Sequence, residues 1–231
     1  MKKIASLTGI LLVLMAGASF AAGLSLAWDN CLGSGGVLDK TVPCTSTTTN
    51  QTMVGSFVLS APLNVTSTTN VVDVVLGTAT PGAFWTLNTS GLGTNRFTFD
   101  ANATGCPTWT NGEALDNVNG RTQSGNRMQL RINLVIGNFG ADVPAGQEET
   151  SFRLGVIMTD APANAADCQV PACFLYSKNF IEDALVSGGS ETLTTPQVRN
   201  FATWGGAVGI NCPAATPTKK ATWGSIKALY R

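Results

Sequence analysis

From Arg127 to Ile136 the chain alternates two kinds of side chain: Met128, Leu130, Ile132, Leu134 and Ile136 against Arg127, Gln129, Arg131, Asn133 and Val135. Successive side chains of a strand point to opposite faces, so this alternation predicts a strand with one buried face. "TSFRLGVIMTD" repeats the pattern, with Phe152, Leu154, Val156 and Met158 on one side and Ser151, Arg153 and Gly155 on the other. The intervening "NFGADVPAGQEE", with Pro144 and Gly146, reads as a loop. The two strands are expected to face one core, with direct pairing between them as one arrangement.

Shorter runs predict further strands at 24–28, 53–60, 70–77, 84–88, 96–100, 173–181 and 198–204. Turn-forming clusters separate them, among them "TATPGA", "SGGS" and "TTPQ". Strands with one apolar face must pack face to face to bury it, and no long amphipathic helix intervenes. The expected fold is therefore all-β, an antiparallel β-sandwich of about nine strands. Trp28 and Trp85 fall within strand patterns and are expected in its core. Residues 101–126 are polar, rich in Gly and Asn and interrupted by Pro107, which reads as a long surface excursion tethered by Cys106. The Thr tracts "CTSTTTNQT" and "NVTSTTN" read as connections at strand ends.

The two ends of the chain differ from this middle. Lys2 and Lys3 precede an apolar run from Leu7 to Met15 and then small residues, the pattern of a secretory signal peptide cleaved after Ala21, with Ala18 and Ala22 as alternative sites. No run approaches the ~20 apolar residues that span a bilayer. The organisation expected is a signal peptide at 1–21, a disulfide-bonded sandwich domain at 22–212, and a linker with a short amphipathic segment at 213–231. In that last segment Trp223, Ile226, Leu229 and Tyr230 share one face of a short helix. Such a stripe either docks on the sandwich or is read by a secretion or envelope partner.

Loss of Lys2 and Lys3 leaves 12 basic against 14 acidic side chains, so no concentrated positive surface exists for nucleic acid. Charged residues make up 12% of the chain, and Thr, Ser, Asn and Gly supply the polarity instead. Cys31, Cys44, Cys106, Cys168, Cys173 and Cys212 all lie beyond the leader, an even count that implies three disulfides. Proximity favours Cys31 with Cys44 and Cys168 with Cys173, leaving Cys106 with Cys212. A thiolate metal site is the rival reading, disfavoured because the chain has no C-x-x-C and no His.

The absence of histidine removes Ser-His-Asp and Cys-His nucleophile systems and His-ligated metals. No cofactor or metal motif is present. Two-carboxylate glycoside hydrolysis survives this exclusion. The adjacent pairs Glu148/Glu149 and Glu182/Asp183 do not supply it, since neighbouring strand side chains face opposite ways. Binding remains: Trp109 stands among Asn111, Glu113, Asp116, Asn117 and Asn119 in the expected excursion, a ring and polar set suited to a sugar. The competing reading packs Trp109 over the Cys106 disulfide.

"LSLAWDNC", "FATWGG" and the terminal "TWGSIKALYR" resemble a group of uncharacterised exported proteins of environmental bacteria. The resemblance implies a secreted, disulfide-bonded domain and brings no known activity or site. The leading expectation is a non-enzymatic exported protein, periplasmic or extracellular, acting as a surface, matrix or envelope interaction module. The alternatives are a carbohydrate-binding module built on Trp109 and, third, a two-carboxylate glycosidase. The partner expected is an envelope, matrix or glycan component.

Overall fold

The computed structural model describes residues 21–45, 47, 50–87, 96–100, 105–110, 115–136, 140–185, 189–206 and 212, with 115–119 described by backbone alone. The expected signal peptide, apart from Ala21, and the stripe of Trp223, Ile226, Leu229 and Tyr230 lie outside the described residues. Twelve strands appear among those described: β1 (Gly23–Trp28), β2 (Asp39–Lys40), β3 (Gln51–Val58), β4 (Leu63–Leu76), β5 (Phe97–Asp100), β6 (Leu115–Ser124), β7 (Arg127–Val135), β8 (Ala141–Val143), β9 (Glu148–Val156), β10 (Ala172–Asp183), β11 (Ser190–Leu193) and β12 (Phe201–Trp204). They form a four-stranded sheet, β1-β3-β9-β5, and an eight-stranded one, β2-β12-β10-β4-β7-β6, with β11 added to β10 and β8 to β4. Except for β2 beside β12, the pairings are antiparallel. The molecule is an all-β sandwich.

β7 follows its sequence pattern closely. Met128, Leu130, Ile132 and Leu134 are buried, while Arg127, Gln129 and Arg131 are exposed and Asn133 is half-buried. β9 belongs to the other sheet, so it faces β7 across the core and does not pair with it. Phe152, Leu154 and Val156 point inward, but an irregularity opposite Gly55 and Ser56 turns Ser151 inward as well, where its hydroxyl donates to Asn70 Oδ1 at 2.7 Å. Ser151 therefore leaves the polar face that strict alternation assigns it, as the extra residue of a bulge does.

Three other segments depart from expectation. The expected excursion at 101–126 contains β6, which pairs with β7 along its length. Gly125 and Asn126 form the two-residue loop between them, and Gly125 at φ +57° followed by a residue of ordinary φ is the arrangement that joins twisted strands without splaying them. The "NVTSTTN" tract is the first half of β4. Thr is β-branched and suits a strand, and the inward Thr68 and Asn70 bond each other at 3.1 Å. "FWTLN" is not a strand: Ala83–Trp85 is a single 3-10 turn, although Phe84 and Trp85 are wholly buried. The "NFGADVPAGQEE" loop also yields β8, paired with the start of β4.

The core is centred on aromatic rings drawn from both sheets. Trp28 of β1 contacts Phe174 of β10 and Trp204 of β12, each at 5.7 Å between centroids. Trp85 packs on Trp204 at 5.3 Å, and Phe84 and Phe97 complete the group. Buried indoles need hydrogen-bond acceptors, and the three of this group have one each: Trp28 donates to Thr203 O at 2.9 Å, Trp85 to Asp167 O at 2.8 Å and Trp204 to Cys168 O at 2.6 Å. Farther along the interface, Asn70 Oδ1 also accepts from the Tyr176 hydroxyl, and Asn70 Nδ2 donates to Ile132 O at 3.3 Å. Burial raises the Tyr176 phenol far above its ordinary pKa, so it stays protonated as a donor.

The disulfides pair Cys31 with Cys106, Cys44 with Cys168, and Cys173 with Cys212, neither of the two pairs that proximity favours nor the third left by elimination. Direction explains the difference. Cys168 and Cys44 turn into the main core, whereas Cys173, between the inward Ala172 and Phe174 on β10, faces out of the sheet. Cys168 and Cys173 are close in sequence and aimed at different layers. The bridges span 75, 124 and 39 residues, and long closed loops restrict the unfolded chain most, each by ~2–4 kcal/mol.

The two faces of β7 give a direct check of the architecture. Leu130→Ala is expected to lower unfolding free energy by ~2–5 kcal/mol through loss of contact and a residual cavity. Gln129→Ala, on the exposed face, is expected to change it by about 0.5 kcal/mol or less. Urea unfolding of both variants checks this, and equal losses would contradict the assignment of faces.

Candidate functional site

Trp109, the ring singled out for binding, is not exposed. Cys106 is bonded to Cys31, the Pro107 carbonyl accepts from Thr150 N–H at 2.8 Å, and Thr108 bridges Thr150, so this segment lies along β9. That placement turns Trp109 into the main core at 3% exposure. A ring so buried offers no face to a sugar. Asn111 and Glu113 lie outside the described residues, as do the side chains of Asp116, Asn117 and Asn119, whose backbone runs in β6.

An open polar site lies elsewhere, on the outer face of the four-stranded sheet. Strand register places Thr52 of β3, Gly155 of β9 and Thr98 of β5 in one row, and Val54, Arg153 and Asp100 in the next outward row. The Cys31–Cys106 disulfide covers Val54 and seals that end of the face. Beyond it the surface sinks into a concavity of about 260 Å³, lined by Asn50, Thr52, Thr98, Asp100, Arg153 and Gly155 with Phe99. Gly155 leaves room for its neighbour: a Cβ there would come within 2.3 Å of Thr98 Oγ1, so the Thr98 hydroxyl leans over the glycine and forms part of the lining. Three ion pairs join described residues, Lys40–Asp29, Arg96–Asp160 and Arg199–Asp39, and none engages Arg153. Its guanidinium remains available to a ligand.

Sequence reasoning put Arg153 and Gly155 on the polar face of their strand and stopped there. The available signal was the glycine itself, since glycine inside a strand often marks a place that another group must approach closely. What the sequence could not supply was the neighbouring rows, because Thr52 and Thr98 lie far from Gly155 along the chain.

Two further hollows are less suited to polar chemistry. One, of about 430 Å³, lies at the end of β4 and β8 among Pro62, Leu63, Val143, Pro144 and the exposed Leu185. The other, of about 210 Å³, sits on the outer face of the larger sheet beside Asp73, Val75, Arg127 and Leu175. Among the described residues no group of three or more Cys, Asp or Glu side chains is arranged to hold a metal ion, and no helix is long and apolar enough to cross a membrane.

The adjacent carboxylates of β9 are separated by the sheet. Glu148 faces outward, accepting from Gly33 N–H at 2.7 Å and Ser56 Oγ at 2.5 Å. Glu149 pairs with the inward Phe57 and is almost wholly buried, with Gln147 Nε2 donating to it at 2.8 Å. Burial raises its carboxyl to about 7, only partly opposed by the Gln147 bond. The two carboxylates cannot act on one bond.

Glu149 makes stability depend on pH. A carboxyl whose folded pKa exceeds its unfolded value binds protons more tightly in the folded state. Its contribution is therefore complete below about 4.5 and is lost as pH rises toward about 7. Glu149→Gln is expected to remove that loss, so the Tm advantage of the variant over the parent should be larger at pH 8 than at pH 5. Thermal unfolding at the two pH values checks the sign; a larger advantage at pH 5 would contradict it.

Comparison with protein-family models, with curated proteins and with solved structures finds no significant match for this chain.

Proposed function

We propose that this chain is an exported, non-enzymatic interaction module that works at a cell surface, matrix or envelope. The observation that carries the reading is the set of three disulfides joining distant parts of a β-sandwich. Structural disulfides persist in oxidising compartments, and they harden a domain whose outer faces meet its partners. The apolar run and small residues near Met1 agree with that destination. The absence of histidine and the separation of Glu148 from Glu149 by the sheet favour binding over hydrolysis. Low surface charge suits recognition by hydrogen bonds and contact more than by long-range electrostatics.

Expression of the full chain in a bacterial host with an intact export pathway tests the destination. The expected product lies outside the cytoplasm, lacks residues 1–21, has no reactive thiol and yields joined peptides containing Cys31 and Cys106, Cys44 and Cys168, and Cys173 and Cys212. Full-length protein retained in the cytoplasm with free thiols would overturn the proposal.

A further inference from the structure

We infer that the hollow lined by Thr52, Thr98, Arg153 and Gly155 is a binding site for a neutral saccharide unit. The inference rests on the reading of the chain as an interaction module and names the ligand chemistry for one of its faces. Neighbouring strands are spaced ~4.8 Å apart, so the side chains of Thr52 and Thr98 flank Gly155 with roughly 10 Å between their strands. The volume of about 260 Å³ left between them matches a single sugar unit better than a larger ligand. The Thr98 hydroxyl, leaning over Gly155, meets the sugar ring from the floor of the hollow.

The side chains around the floor supply hydrogen bonds of both senses. Arg153 donates only, Asp100 accepts only, and the Asn50 amide and the two Thr hydroxyls do both. A sugar hydroxyl also donates and accepts, so vicinal hydroxyls can be shared between the guanidinium and the carboxylate. Charge argues against an ionic ligand. Arg153 and Asp100 stand opposite each other in register, and any anion or cation drawn to one meets its like charge at the other. A neutral polyol loses nothing to that pairing.

The staging of the site favours specificity. Its groups, apart from Asn50 just before β3, stand on three hydrogen-bonded strands, and the Cys31–Cys106 disulfide with Val54 fixes the adjoining part of the face. Among the described residues Phe99 is the aromatic residue of the lining, and it is half-buried, so hydrogen bonds carry the contact and a single unit should bind weakly.

Amide spectra of the isotope-labelled protein, titrated with maltotriose, cellotriose, mannotriose, chitotriose and trigalacturonic acid, test the site. At least one neutral trisaccharide is expected to shift the amides of Thr52, Thr98, Arg153 and Gly155. Arg153→Gln and Gly155→Ala should each weaken that binding at least tenfold while leaving the rest of the spectrum in place, and trigalacturonic acid should bind no more tightly than the neutral sugar. Thr98→Ala, which adds no atoms, serves if Gly155→Ala disturbs the sheet, and should also weaken binding. No shift with any of the five, shifts confined to another face, or tighter binding of the acidic sugar would overturn the inference. Passing the same protein over isolated cell-surface material separates the two failures. Retention there without sugar shifts removes the saccharide site alone, whereas no retention removes the module reading with it.

Discussion

The contact on which the rest of the structure depends is the meeting of Trp28, Trp204 and Phe174 between the two sheets. Trp28 comes from the smaller sheet, and Phe174 and Trp204 come from adjacent strands of the larger one. Phe84 and Trp85 arrive from a 3-10 turn and fill the remaining sides. Large rings bury much apolar surface per ordered residue, and edge-to-face contacts add ~0.5–1.5 kcal/mol each. The indole N–H groups reach carbonyls of Thr203, Asp167 and Cys168, so the same rings fix the approach of β12 and of the short helix Ala165–Cys168. Cys168 is then placed against Cys44, and the longest of the disulfide loops closes.

With the interior filled in this way, chemistry is left to the outside. The interior polar groups are mostly spent on one another: Thr68, Asn70, Ser151 and Tyr176 form one hydrogen-bonded set linking the sheets. Asn179, opposite Asn70 in register, is wholly buried, with no hydrogen-bond partner for its amide among the described residues. Such groups cost stability, and they favour one register over its neighbours, since a one-residue slip would strand the whole set among apolar side chains. At the margins, Arg96 binds Asp160 through two nitrogens while lying 3.9 Å from the Phe84 ring, and its guanidinium holds the Asp160 carboxyl below the usual range. Arg199 does the same for Asp39 beside Phe201. These pairs pin loops to the sandwich; Arg153, on the open face, is not used in that way.

The fold class was legible because period-two alternation reports one-sided burial directly, and β7 reads out residue by residue. The partners of each strand were not, because pairing is a long-range property: nothing near Phe152 in sequence announces that β9 joins β3 and not β7. Polar strands were the other loss. β6 and the first half of β4 are built from Thr, Asn, Ser and Gly, which resemble loop composition, and only their partners in the sheet identify them as strands. Trp109 shows the same limit at the scale of one side chain, for its neighbours in sequence are polar while its neighbours in space belong to the core. The cysteines repeat the lesson. Loop length favours local closure, but Cys168 and Cys173 are turned to different layers by the strand that begins between them.

If the aromatic contact couples the sheets, loosening it should release both at once. Native-state hydrogen exchange of Trp28→Phe, which removes the indole donor to Thr203 and part of the ring surface, is the most direct measurement. The expected result is a parallel loss of protection in β3 and β9 of the smaller sheet and in β4 and β10 of the larger one. Loss confined to the smaller sheet, with β4 and β10 protected as in the parent, would show that the two layers are stabilised separately and would contradict the account.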